Sequence, residues 1–233
     1  MKRLSRTAGI LSIAPVVMLL AGYSQQRSPL FGASPASIVR QYSALPGGRF
    51  YVGACLVTVA WLVLLAGLSL VARLLTGTTA ASGWFSGLVS AAGATAVVVT
   101  LAGSYATAFA AYYAASHGYS ADVVAGISMI SKFADMIAIA ACGVCAVAVG
   151  AAGLASGRLP RWAAWISIVV GVACVLSGSG PKQLDMGTLL WLAWLVMTGV
   201  VLLRGPSRRA LSGAHVAAAG PELDVGRVGA EMS

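Results

Sequence analysis

Apolar residues in this chain arrive in long, nearly unbroken blocks, not in the period-two alternation of a half-buried strand or the narrow stripe of a soluble amphipathic helix. The blocks span residues 7–23, 51–75, 84–115, 121–153, 161–177 and 186–203. A bilayer core about 30 Å thick is crossed by about 20 apolar residues in a helix. The pattern therefore predicts an all-α fold: a polytopic transmembrane bundle of about six helices occupying residues 1–204. The third and fourth blocks exceed the minimum, so their helices must tilt or project beyond the headgroups. Pro15 is expected to bend the first helix.

Two stretches break the pattern. Residues 24–50 are too long for a simple turn and contain a helix start, with Ser34 at the N-cap and Pro35 at the first helical position. Ile38, Tyr42 and Leu45 then recur at helical spacing, which predicts a short amphipathic helix on the outer face before Pro46-Gly47-Gly48 turns the chain. Residues 205–233 are rich in Ala, Gly and scattered charge without periodicity, and read as a flexible cytoplasmic tail.

Composition agrees with a hydrocarbon solvent. Of 233 residues, 59% are hydrophobic and 9% charged, with a mean hydropathy of +0.88; a soluble domain needs far more charge to cover its surface. The net charge of +9 does not point to nucleic acid, because the basic residues cluster between apolar blocks and form no stripe interleaved with aromatics. They report orientation instead. With the N-terminus inside, cytoplasmic ends carry Lys2, Arg3, Arg6, Arg73, Arg158, Arg161, Arg204, Arg208 and Arg209, against Arg27, Arg40, Arg49 and Lys182 on the other side. Both termini are thus expected in the cytoplasm of a cell whose plasma (inner) membrane holds the bundle. Leu stands three positions before each plausible cleavage point after residue 21, and Tyr23 stands where a lipoprotein signal needs Cys, so the first block is expected to stay as a helix.

The fourth block carries the one polar feature that invites a functional reading. At 100° per residue, Ser128, Ser131, Lys132 and Asp135 share a face that continues through Ala138, Cys142, Ala146 and Gly150. Lys132 and Asp135, three apart, can pair, which offsets the roughly 3 kcal/mol that an isolated charge costs near the bilayer centre. The third block runs the other way and sets Thr100, Ser104 and Thr107 at a similar height. These two helices are therefore expected to share a polar seam. It either fixes the register of a helix pair or lines a cavity for a small molecule, lipid headgroup or proton.

Other chemistries find little support. Cys142-Gly143-Val144-Cys145 has redox spacing but lies deep in an apolar helix, where a thiolate is poorly stabilised. Cys55 and Cys174 also fall inside apolar blocks, as packing residues would. His117 and His215 are the only histidines, one in a loop and one in the tail, so paired haem ligation is not available and no metal or other cofactor is expected. No glycine-rich phosphate loop, Asp-rich diphosphate motif or nucleophile elbow occurs. Asp185 is expected to cap the last helix.

Three stretches together resemble a known group. Ser34-Pro35-Ala36-Ser37-Ile38-Val39-Arg40-Gln41-Tyr42 leading to Gly48-Arg49, Asp135 within the fourth block, and Leu159-Pro160-Arg161-Trp162-Ala163-Ala164-Trp165 opening the fifth are similar to uncharacterised six-helix integral membrane proteins of actinobacteria. Many of those have Leu-Gly-Trp where this chain has Ala163-Ala164-Trp165. The resemblance implies the topology and no activity. The expected role is then a structural or accessory subunit of a cell-envelope complex, associating with a membrane-protein partner or with itself through small-residue helix faces. The alternative is a small-molecule or lipid-binding carrier built on the seam, and a third is a membrane-embedded enzyme in which Asp135, Lys132 or His117 converge.

Overall fold

The computed structural model describes residues 2–26, 29, 32–77, 79–180 and 184–205. The expected tail beyond residue 205, with His215, lies outside the described residues, as do Arg27 and Lys182 of the connecting segments. The described residues are helical throughout their ordered elements, with no strand. In chain order these are α1 (Lys2–Gln25), α2 (Pro35–Ser43), α3 (Gly47–Leu75), α4 (Ala80–Val98), a π-helical segment (Val99–Tyr105), α5 (Ala106–Ser116), α6 (Ala121–Ser156), α7 (Arg161–Ser177) and α8 (Leu184–Arg204). Five helical runs are long and apolar enough to cross a membrane: Arg3–Gln25, Gly47–Leu75, Ala80–Ser116, Ala121–Ser156 and Asp185–Arg204. The sixth expected span, α7, has 17 residues, and falls short of that length.

Helix ends overrun the apolar blocks because a helix, once nucleated, continues through any residue that does not break it. Thus α1 begins at Lys2 and runs unbroken through Pro15. Two helix starts differ from expectation. Pro46 is the N-cap of α3 and its carbonyl accepts from the Arg49 and Phe50 amides, so Gly47 and Gly48 form the first helical turn and not a loop. Asp185 sits inside the first turn of α8, where its charge complements the helix dipole, and is not the cap. The start of α2 falls at the expected residue, although the Ser34 side chain makes no capping hydrogen bond. Ser34 is the N-cap of α2, with Pro35 next in the chain, and Gly157, at φ +64°, closes α6 in the left-handed conformation.

The long helices form a closed ring. Neighbours are α1–α3, α3–α4, α4–α6, α6–α7, α7–α8 and, completing it, α8–α1. Small residues allow the closest approaches. A Cβ on Gly143 of α6 would stand 2.5 Å from the Gly171 carbonyl of α7, and one on Gly9 of α1 would stand 2.8 Å from the Gly199 carbonyl of α8. Buried polar links reinforce the ring: Ser5 Oγ donates to the Leu202 carbonyl at 2.5 Å, and Trp194 Nε1 donates to Ser167 Oγ at 2.8 Å. The lower stripe of α6, with Ala138, Cys142, Ala146 and Gly150, is buried inside this chain. The short α2 packs on α5 and α6 through buried Ile38 and Tyr42, which join a small cluster with Phe50, Ala111 and Val124.

Candidate functional site

The π-helical segment sets the site's geometry. An α-helix accommodates an extra residue as a π-turn, which rotates the downstream part of the helix relative to the upstream part. Here that turn covers Val99–Tyr105 and aims Ser104 at α6. Ser104 Oγ donates to Asp135 Oδ1 at 2.5 Å, and Ser131 Oγ returns a bond to the Ser104 carbonyl at 2.9 Å. The two serine hydroxyls are 3.4 Å apart. Lys132 Nζ lies 4.0 Å from Asp135 Oδ2, the side chains retaining 16% and 30% exposure respectively. The ion pair expected from the spacing therefore exists, with a hydroxyl from the facing helix as Asp135's second partner.

The remaining seam residues diverge. Thr100 is buried but donates to the carbonyl of Ala96 on its own helix, at 2.7 Å. Thr107 donates to the carbonyls of Gly103 and Ser104 and does not reach α6. Ser128 faces α2, where its hydroxyl meets the phenol of Tyr42. Burial pushes that phenol's pKa up, and the Ser128 contact acts the other way. So Ser104, Ser131, Lys132 and Asp135 converge with Thr100 beside them in the same space, whereas Ser128 meets α2 and Thr107 bonds only within its own helical run.

The linear pattern does not reveal that this cluster forms one wall of a cavity of about 410 Å³. The opposite wall comes from the first and last long helices. Tyr23 of α1, Trp61 of α3, Tyr105 of the π-helical segment, and Asp185 and Trp191 of α8 all line it. Tyr23 and Tyr105 approach each other across it. Asp135 thus shares one space with a second carboxylate, and Ile139, Cys142 and Leu192 add apolar lining. Trp61 and Trp191 are 6% and 2% exposed; the Trp61 indole faces the Tyr23 phenol, whereas the Trp191 indole N–H has no hydrogen-bond acceptor among the described residues. In the sequence Tyr23 ends the first apolar block and Asp185 stands at the start of the last helix. Neither position signals that the two share a wall, because α1 meets α8 only through the closing of the ring.

Other candidates fall away from this space. His117 stacks on Tyr113 with ring centroids 3.9 Å apart, is exposed, and is not part of the cavity lining. Asp135 and Lys132 meet in this space, and His117 does not join them. Cys145 Sγ donates to the Val89 carbonyl at 3.6 Å and Cys174 Sγ to that of Gly187 at 3.5 Å, both buried. Among the described residues no group of three or more His, Cys, Asp or Glu is placed to hold a metal ion. Comparison with protein families, curated proteins and solved structures finds no match to this chain.

Proposed function

We propose that the protein is a multi-pass plasma-membrane protein that binds a small molecule in the cavity between α1, α6 and α8. The carrying observation is a space of about 410 Å³ that brings Asp135, Lys132 and Asp185 together among aromatic side chains. That volume is within the range of about 300–1,000 Å³ common to small-molecule sites, which combine apolar walls with a few placed polar groups. Depth adds weight. Asp135 is about 20 Å along α6 from Ala121 at the helical rise. On the same turns Ile130, Phe133 and Ile137 are exposed on the outer face, which suits hydrocarbon and not water. An ion pair whose only role was register would be packed shut; Asp135 keeps 30% exposure beside an open space.

In this reading α7 is a sixth span: its 17 residues rise about 25 Å, and its exposed Trp162 and Trp165 suit the membrane interface. The charge bias puts both termini in the cytoplasm and α2 on the outer face, so the cavity opens toward the extracytoplasmic half. The test is accessibility. In a Cys55→Ser, Cys142→Ser background, Ser131→Cys in the purified protein should react with a small charged thiol reagent, whereas Val97→Cys, buried in the α4 packing surface, should not. An inert Ser131→Cys would mean that the seam is sealed and structural.

A second reading, an accessory subunit docking in a larger complex, keeps one specific support. The small-residue stripe of α6 is consumed by intramolecular packing, but α4 leaves Gly83, Gly87, Ala91 and Thr95 exposed at four-residue spacing, with open space beside both glycines. Such faces let helix backbones approach closely. Native mass analysis after mild detergent extraction should show a partner or a second copy; a strictly solitary monomer counts against this role.

A further inference from the structure

The cavity has a side as well as a mouth. The close approaches between α1 and α8 lie toward one end, at Gly9 with Gly199 and at Ser5 with Leu202. Toward the other end, Leu20 of α1 and Leu189 of α8 both line the cavity and yet are 53% and 61% exposed. Among the described residues, then, the space reaches the outer apolar surface of the bundle between these two helices. A ligand can pass through such a slot without leaving hydrocarbon.

Charge narrows the class. The described lining holds two carboxylates, Asp135 and Asp185, against one ammonium, Lys132, which is already engaged with Asp135. An anionic ligand would face a carboxylate in excess at a depth where unbalanced charge is costly, whereas a cation would balance it. The aromatic lining favours the same sign, since the faces of Trp and Tyr rings attract cations. Apolar Leu19, Ile139 and Leu192 lie in the same space and offer a place for a hydrocarbon chain.

We infer that the cavity takes a cationic amphiphile, an alkylamine or alkylammonium, which enters from the bilayer between Leu20 and Leu189 and lodges its head by Asp135 and Asp185. This rests on the ligand-binding reading above and adds the chemical class and the route. The experiment uses the full chain in nanodiscs of zwitterionic lipid, with octyltrimethylammonium, octyl sulfate and octanol as probes of equal chain length. Saturable change in tryptophan fluorescence is the readout. Ala138→Phe, which fills the cavity, corrects for partition into lipid, and Ala108→Phe replaces it should the first variant not elute as a single species. Octyltrimethylammonium should bind saturably to the native chain and not to the filled variant. Its affinity should fall at least tenfold in Asp135→Asn, and measurably in Asp185→Asn, an exposed position that tolerates the change. Leu20→Trp should slow association at least tenfold with little change in affinity.

Equal binding of octyl sulfate, or unchanged affinity in both Asp variants, would overturn the cationic class while leaving the cavity reading standing. Unchanged association in Leu20→Trp would overturn the lateral route. If no probe distinguishes the native chain from the filled variants, the cavity reading itself falls.

Discussion

Ser104 shows how a single hydroxyl can organise a site. It donates to Asp135 and its carbonyl accepts from Ser131, so one residue of the π-helical segment anchors two positions one turn apart on α6. A hydrogen bond to a charged group contributes about 1.5–3 kcal/mol. Ser104→Ala should therefore lower stability by roughly that amount, read as a fall in the thermal midpoint in detergent. In an Asp135→Asn background the same change should cost less, because the charged acceptor is already gone. Equal losses in both backgrounds would show that the two groups are not coupled. The glycines make an equally sharp contrast. Gly143→Ala puts a methyl 2.5 Å from a backbone carbonyl of α7, so the helices must part, at a cost of about 1–3 kcal/mol. Gly83→Ala meets open space and should stabilise by up to about 1 kcal/mol through helix propensity alone. Chemical denaturation of the two variants side by side checks the pair.

At the scale of the element, α2 is the part whose attachment depends most on one side chain. It has nine residues, too few to be stable alone, and holds on through Ile38 and Tyr42. Because burial raises the Tyr42 phenol above its usual value near 10, the folded state holds that proton more tightly than the unfolded state does. The docking contribution is present in full below that value and is lost as pH rises beyond it. Hydrogen exchange in residues 35–43 should thus quicken above about pH 10, more in the native chain than in Tyr42→Phe. Identical pH profiles would remove the phenol's role in docking. The π-helical segment is not legible in the sequence, since Val99-Thr100-Leu101-Ala102-Gly103-Ser104-Tyr105 has no proline, and its Gly103 is tolerated inside transmembrane α-helices. Thr100 and Thr107, placed by ideal periodicity on one stripe with Ser104, turn their hydroxyls back onto carbonyls of their own helical run, Thr107 onto that of Ser104 itself, and of the two only Thr100 lines the cavity.

For the whole molecule the ring decides what each helix can do. Closing α8 against α1 converts a two-helix seam into a space lined from α1, α3, the π-helical segment, α5, α6 and α8. The proposed orientation has a direct check. A fluorescent reporter fused at Ser233 should mature in the cytoplasm, whereas an alkaline phosphatase inserted at Gly118, in the turn between α5 and α6, should be active outside. The opposite pattern would invert the molecule and turn the cavity mouth to the cytoplasm.

The sequence alone determined which segments are long and apolar enough to cross a membrane, and one polar stripe. Apolar run length, charge clustering and the 100° repeat are local properties, and a bilayer reads them one segment at a time. Hence α3 and α6, the start of α2 and the Lys132–Asp135 pair were legible. Only the tertiary structure decided which stripe faces which. Tyr23 and Asp185 are far apart in the chain and each looks ordinary in its own segment, yet they share a cavity wall. In hydrocarbon no hydrophobic force selects helix partners; close packing and a few hydrogen bonds do, and those depend on shape across distant segments. Gly143 and Gly150 of α6 are spent against α7, Ala138 and Cys142 of the same helix line the cavity, and that space beside α1 and α8 is what turns a neutralised ion pair into a candidate site.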